Sequence, residues 1–156
     1  MLFISHALFA ILFFLLSQPY WPPITSFQTL GLFALVLFGA ALPDIDEAHS
    51  TINKATGPFG KIISLLARHR GFFHSLLFFI PITILLAVFL APLWAAAFLL
   101  GYAAHLIGDC LTPQGIMIFY PLSRPRLHGF IKTGGIIEKI IQVVLFVGII
   151  FILIKN

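Results

Sequence analysis

Apolar residues run in long blocks along this chain, and short polar segments separate them. Leu2–Ser17 is apolar apart from Ser5 and His6, and Pro19, Pro22 and Pro23 stop it as a helix. Tyr20 and Trp21 beside those prolines have the character of an interfacial aromatic belt. Phe27–Leu42 is the second block, ended by Pro43. Phe73–Leu111 carries no charge until Asp109. As one straight helix it would measure roughly 58 Å, about twice a bilayer core. It must therefore fold into a hairpin, and Ala91-Pro92 near its middle is the place for the turn. Ile136–Ile154 is the last block. The pattern predicts an all-α, polytopic membrane bundle of about five transmembrane helices, forming one domain over residues 1–156.

Between the blocks, Glu47–Arg70 is the longest polar stretch. Within it, Gly60–Ala67 has Ile62, Ile63, Leu65 and Leu66 at helical spacing, which predicts a short amphipathic helix on the membrane surface. Ile116–Gly135 is a mixed loop.

Loop charge gives the orientation. The Gln18–Ser26 connection and the Pro92 turn hold no Lys or Arg. The Asp44–Phe72 and Thr112–Gly135 loops hold Lys54, Lys61, Arg68, Arg70, Arg124, Arg126 and Lys132. The positive-inside rule places those two loops in the cytoplasm, with the N-terminus on the same side and the C-terminus outside. The first block lacks a basic leader and an Ala-x-Ala cleavage site, so it reads as a retained inner-membrane helix.

Composition sharpens this picture. The chain is 60% hydrophobic and 9% charged. Soluble domains carry about 25% charged residues, so a water-soluble surface is excluded. The net charge of +4 does not point to nucleic acid, because the cations are scattered through short loops. The single cysteine, Cys110, excludes an intrachain disulfide.

The unusual polar residues converge on that topology. His6 begins the first block, Asp44 and Asp46 end the second, and His69 and His74 flank the start of the third. His105 and Asp109 lie in the last turns before Thr112, and Glu138 lies in the first turn of the last block. All fall at the cytoplasmic end, although they played no part in the helix count. Ionisable groups at membrane depth are costly and mark function. His105 and Asp109 are four apart and share a helix face, with Gly101 and Gly108 allowing a neighbour close.

Each residue alone has a plainer reading: His6 as an interfacial histidine, Asp44 as a helix-end acceptor, His105 with Asp109 as a buried hydrogen-bonded pair. Together they read as a metal site, with His6, Asp44, His69, His74, His105, Asp109 and Glu138 as candidate ligands. Imidazole and carboxylate donors suit zinc, with manganese or iron possible, and the number of donors leads to two or three ions. Arg70 lies between two of these residues and could hold a phosphate oxygen bidentately. His49 and His128 read as solvated, and Cys110 as a packing residue.

The pattern His6, then Leu42-Pro43-Asp44-Ile45-Asp46, then His69-Arg70-Gly71-Phe72-Phe73-His74-Ser75, then Gly101-Tyr102 with His105, Asp109, Thr112-Pro113 and Gly115, resembles the YdjM-type family. These are membrane-bound predicted metal-dependent hydrolases, described in bacteria as LexA-regulated. Members usually have Thr where this chain has Phe73. The family is more distantly similar to zinc-dependent phospholipases C and zinc single-strand nucleases. That resemblance implies a phospholipase C-like metal arrangement, with His105 and Asp109 matching a His-x-x-x-Asp helix, Glu138 a late ligand and Asp44 an activating carboxylate. The expected function is metal-dependent hydrolysis of a phosphoester of a phospholipid or lipid-linked substrate. Asp44, Asp46 and Arg70 would be the catalytic residues, and membrane lipids the partners. The alternative is a membrane metal-binding or transport protein without catalysis. Ligands at one bilayer face argue against transport, because transporter sites lie near the midplane.

Overall fold

The computed structural model describes residues 1–155; Asn156, the last residue of the expected domain, lies outside them. The described residues form seven α-helices: α1 (Phe3–Ser17), α2 (Ser26–Ala41), α3 (Thr51–Ala55), α4 (Pro58–Leu66), α5 (Leu76–Phe89), α6 (Pro92–Cys110) and α7 (Ile136–Lys155). Among the described residues there is no strand, only an isolated bridge between Ile116 and Leu127.

Local chemistry sets the helix ends. Thr25 and Gln28 form a capping box that starts α2 after the Pro22-Pro23 pair. At its far end Pro43 turns the chain into a 3-10 segment, Leu42–Asp46. The hairpin turn falls at Leu90–Ala91, and Pro92 occupies the first turn of α6, where a missing N–H costs nothing.

Among the described residues, four helical segments are long and apolar enough to cross a membrane: Phe3–Tyr20, Ser26–Asp46, Pro92–Cys110 and Ile136–Lys155. The fifth expected span is α5, a shorter apolar helix of 14 residues that rises about 21 Å, less than a ~30 Å core. The amphipathic segment is α4, which exposes Phe59, Ile62, Leu65 and Leu66. Helix α3 has no counterpart in the sequence reading. Its five residues are too few for a periodic signal, and Ser50, which caps it on Asn53, is its local cue.

Helix α6 is central and packs against α1, α2 and α5, while α7 rests on α1. One apolar cluster joins Ala10, Phe14, Leu32, Val36, Ala97 and Ala104. The outside is also apolar: Leu30, Val88, Val144 and Ile154 are all exposed. Ionisable side chains are buried inside it, among them His6, His74, His105, Asp109 and Glu138. A greasy exterior around an ionisable interior is the arrangement expected of a protein whose solvent is lipid.

The α2–α6 contact positions the site. A Cβ on Gly101 would overlap the Val36 carbonyl oxygen, and one on Gly39 would press on the Phe98 carbonyl. Without those side chains the two backbones approach closely, as small residues allow between membrane helices. This brings the Ala40 carbonyl at the end of α2 to His105 on α6.

Candidate metal centre

Helix α2 ends near Ala41, so its last carbonyls lack intrahelical partners. Ala40 finds one in His105, whose Nδ1 lies 2.7 Å from its oxygen. A carbonyl only accepts, so Nδ1 carries the proton and Nε2 keeps a bare lone pair. That nitrogen faces His74 Nε2 at 3.3 Å, Asp44 Oδ1 at 3.6 Å and Asp109 Oδ2 at 3.8 Å. His74 Nε2 is in turn 3.5 Å from Asp109 Oδ2 and 3.9 Å from Asp44 Oδ1. One donor atom from each of Asp44, His74, His105 and Asp109 therefore lies within 4.8 Å of the others.

These four residues fit a metal ion. Two tetrahedral ligands bonded at about 2.0–2.1 Å stand ~3.3 Å apart, the spacing of the two histidine nitrogens. Asp109 Oδ2 is buried without a hydrogen-bond partner. Leaving such an acceptor bare at this depth is costly. His74, His105 and Asp109 are fully enclosed, while Asp44 keeps 19% of its side chain exposed. Asp44 lines a polar cleft of about 290 Å³ together with Glu47, His49, His69 and Arg70.

His74 precedes the membrane-length segments on its side of the site, in the 3-10 turn Phe72–His74. Burial alone would lower its pKa, but the facing Asp109 and Asp46 carboxylates, at 3.5 and 3.7 Å, outweigh burial and raise it to about 9. At neutral pH its imidazole thus holds a proton where a metal would otherwise bind.

The other expected residues surround this group. Asp46 accepts from His69 Nδ1 at 2.8 Å and faces His74 Nδ1 at 3.7 Å. It links the two histidines in the way a second carboxylate orients a ligating imidazole. His69 turns its other nitrogen to Glu47 at 3.4 Å and stays outside the four-donor group. His6 stacks on His105 with ring centroids 3.9 Å apart, in a space that Gly108 leaves open. Both of its ring nitrogens are buried without hydrogen-bond partners, and Nε2 is 3.3 Å from Asp109 Oδ1.

Asp109 Oδ1 is already crowded. It accepts from Arg70 at 2.9 Å and from the Met1 amino group at 2.5 Å. Arg70 also donates to Thr112 Oγ1 at 2.8 Å, while its Nε is buried without a partner. This arginine has φ of 59°, the left-handed region that non-glycine residues seldom occupy. The hydrogen bonds to Asp109 and Thr112 hold it there.

Glu138 stands apart from the four-donor group. Its Oε1 accepts from the Leu2 N–H and the Ser5 hydroxyl, and its Oε2 from the Gly134 N–H. It joins the start of α1 to the start of α7. The sequence reading missed the backbone of Ala40, which an alanine does not signal, and carried Thr112 only within the family pattern, without the role its hydroxyl has beside Arg70.

Fold and site define a helical membrane protein with a buried histidine–carboxylate cluster able to hold a metal ion. The chain belongs to the family described as the YdjM inner membrane protein, whose profile matches residues 1–155. It is 34% identical over 117 residues to the inner membrane protein YdjM of Escherichia coli, covering 68% of this chain and 58% of that one. It is 33% identical over 105 residues to the uncharacterized protein YvsG of Bacillus subtilis, covering 66% of each. The match thus spans slightly under two thirds of the length of these curated relatives. No solved structure matches the chain.

Proposed function

We propose that this protein is a membrane-embedded metal-dependent hydrolase that cleaves a phosphoester of a phospholipid or lipid-linked substrate. The observation that carries this reading is the pair of His74 and His105 nitrogens 3.3 Å apart beside two carboxylates, one of which opens onto a cleft. Asp44, His74, His105 and Asp109 hold the ion, and zinc suits these donors best. When bound, the ion supplies a Lewis acid and lowers the pKa of a water toward about 7.

The chain's own groups do the rest. Asp44 turns Oδ1 to the histidines, and its second oxygen is free to orient an attacking water and accept its proton. Asp46 keeps His74 in place through its carboxylate and is a positioning residue. Arg70 supplies positive charge at the cleft, and its unpartnered Nε–H can donate to a phosphate oxygen. The four-donor group supports one ion. A second or third would need His6 and Asp109 Oδ1, where a guanidinium and an ammonium already lie. The cationic loops support a centre that opens to the cytoplasmic face of the inner membrane.

The test is elemental analysis of protein purified in mild detergent without chelator, then phosphate release from a panel of lipids. One zinc per chain with metal-dependent release supports the hydrolase. Bound metal without turnover of any ester would favour the non-catalytic carrier, and metal below half an ion per chain would remove both.

A further inference from the structure

Segment 68–73 faces two ways. His69 and Arg70 line the polar cleft beside the metal centre. Their neighbours Arg68, Phe72 and Phe73 instead line a second hollow, of about 310 Å³. Its other walls are Ile62, Ile63 and Leu66 of α4, and Tyr120. Arg70, with its left-handed backbone, is on the cleft side, and the chain returns to the second hollow at Phe72. This hollow is an apolar groove with one exposed cation at its edge, of a size that holds small ligands.

Charge says what fits it. The chain has nine Lys and Arg but only five Asp and Glu. Four of the acids make the described ion pairs, all at the metal centre. The fifth, Glu138, is held by Ser5 and backbone N–H groups. Among the described residues Arg70 is the one Lys or Arg with a carboxylate partner, and it is buried. Arg68 has none, although it borders a groove of aliphatic and aromatic side chains. An apolar groove closed by an uncompensated guanidinium calls for a ligand with a hydrocarbon tail and an anionic head.

We propose that this groove binds an anionic phospholipid, with an acyl chain along Ile62, Ile63, Leu66 and Phe72 and its phosphate at Arg68. The lipid is then delivered to the segment that also carries His69 and Arg70. In naming the substrate class, the proposal rests on the hydrolase reading. Helix α4 serves as the groove wall and not merely as a float on the bilayer, because Gly60 fastens it against Asn53 and Thr56.

The experiment uses the full chain in nanodiscs, with phosphatidylglycerol or phosphatidylcholine bearing a diazirine on the acyl chain. Sites of photolabelling are read by peptide mass spectrometry. Phosphatidylglycerol should label residues 62–73 about fivefold more than phosphatidylcholine, equivalent to ~1 kcal/mol for one arginine at an anionic surface. Arg68→Gln should erase that preference, and Ile63→Trp should fill the groove and reduce labelling by both lipids there. Labelling of α7 should be equal for the two lipids and unchanged in both variants, which reports an intact bundle. Equal labelling of 62–73 by the two lipids, or a preference that survives Arg68→Gln, overturns the proposal. Hydrolysis of a water-soluble phosphodiester by the zinc-loaded protein is measured alongside. If neither that ester nor any lipid of the panel is cleaved while the lipid preference holds, the hydrolase reading fails and the groove stands. If the ester is cleaved and the preference is absent, the groove alone falls.

Discussion

Two imidazole nitrogens 3.3 Å apart, one of them fixed as a bare lone pair, need a proton or a metal ion between them. In the metal-free protein it is a proton on His74, whose charged form persists up to a pKa of about 9. Two opposite pH dependences follow. The His74 pKa lies above its ordinary 6.5, so its contribution to metal-free stability is full below about 6.5 and lost as pH rises through about 9. Metal competes with that same proton, so apparent affinity should rise up to roughly tenfold per pH unit over this window. Thermal shift of chelated protein and zinc titration at pH 6.5 to 9 should therefore move in opposite directions. Parallel trends would remove His74 from the ligand set. His105→Ala and Asp109→Ala should each abolish metal binding, whereas Cys110→Ala should leave it intact. Cys110 is turned about 100° away along α6 and is half-buried outside the cluster. Retained zinc in Asp109→Ala, measured by elemental analysis, would overturn the centre.

At the scale of elements, the centre depends on how closely α2 and α6 approach. Gly101→Ala should drive a methyl group into the Val36 carbonyl, push Ala40 away from His105 and weaken zinc binding ~10–100-fold, as loss of a ligand's supporting contact does. Gly148→Ala on α7 meets nothing within 4 Å and should leave both zinc affinity and thermal stability unchanged or slightly improved. The sequence shows the helices through the length of their apolar blocks and the hairpin through Pro92, because both are local properties of the chain. It also shows His74, His105, Asp44 and Asp109 as a group, because topology brings loop ends together without any knowledge of packing. It does not separate His69 and Glu138 from them. Whether a side chain reaches the ion or a neighbour a few ångströms away depends on tertiary contacts. The Asp46 carboxylate that takes His69 and the Gly134 N–H that takes Glu138 are such contacts.

For the whole molecule, orientation is the testable property. With Cys110 replaced by Ala, cysteines at Lys54 and Lys155, both exposed, should label from opposite sides of intact inner-membrane vesicles. Asn53 would be a poor probe, because its buried side chain donates to the Ile45 and Gly60 carbonyls. Labelling of Lys54→Cys from the outer side would invert the bundle and move the centre to the other face. Another consequence concerns inheritance. The partner that sets the tautomer of His105 is a backbone carbonyl, which every residue type possesses. No codon change at position 40 can delete that oxygen. The vulnerability passes to Gly39 and Gly101, positions without any functional group. A map of inactivating substitutions would therefore show two chemically silent glycines behaving as though they were ligands, and a contact residue, Ala40, sensitive to the bulk of its side chain but not to its chemistry.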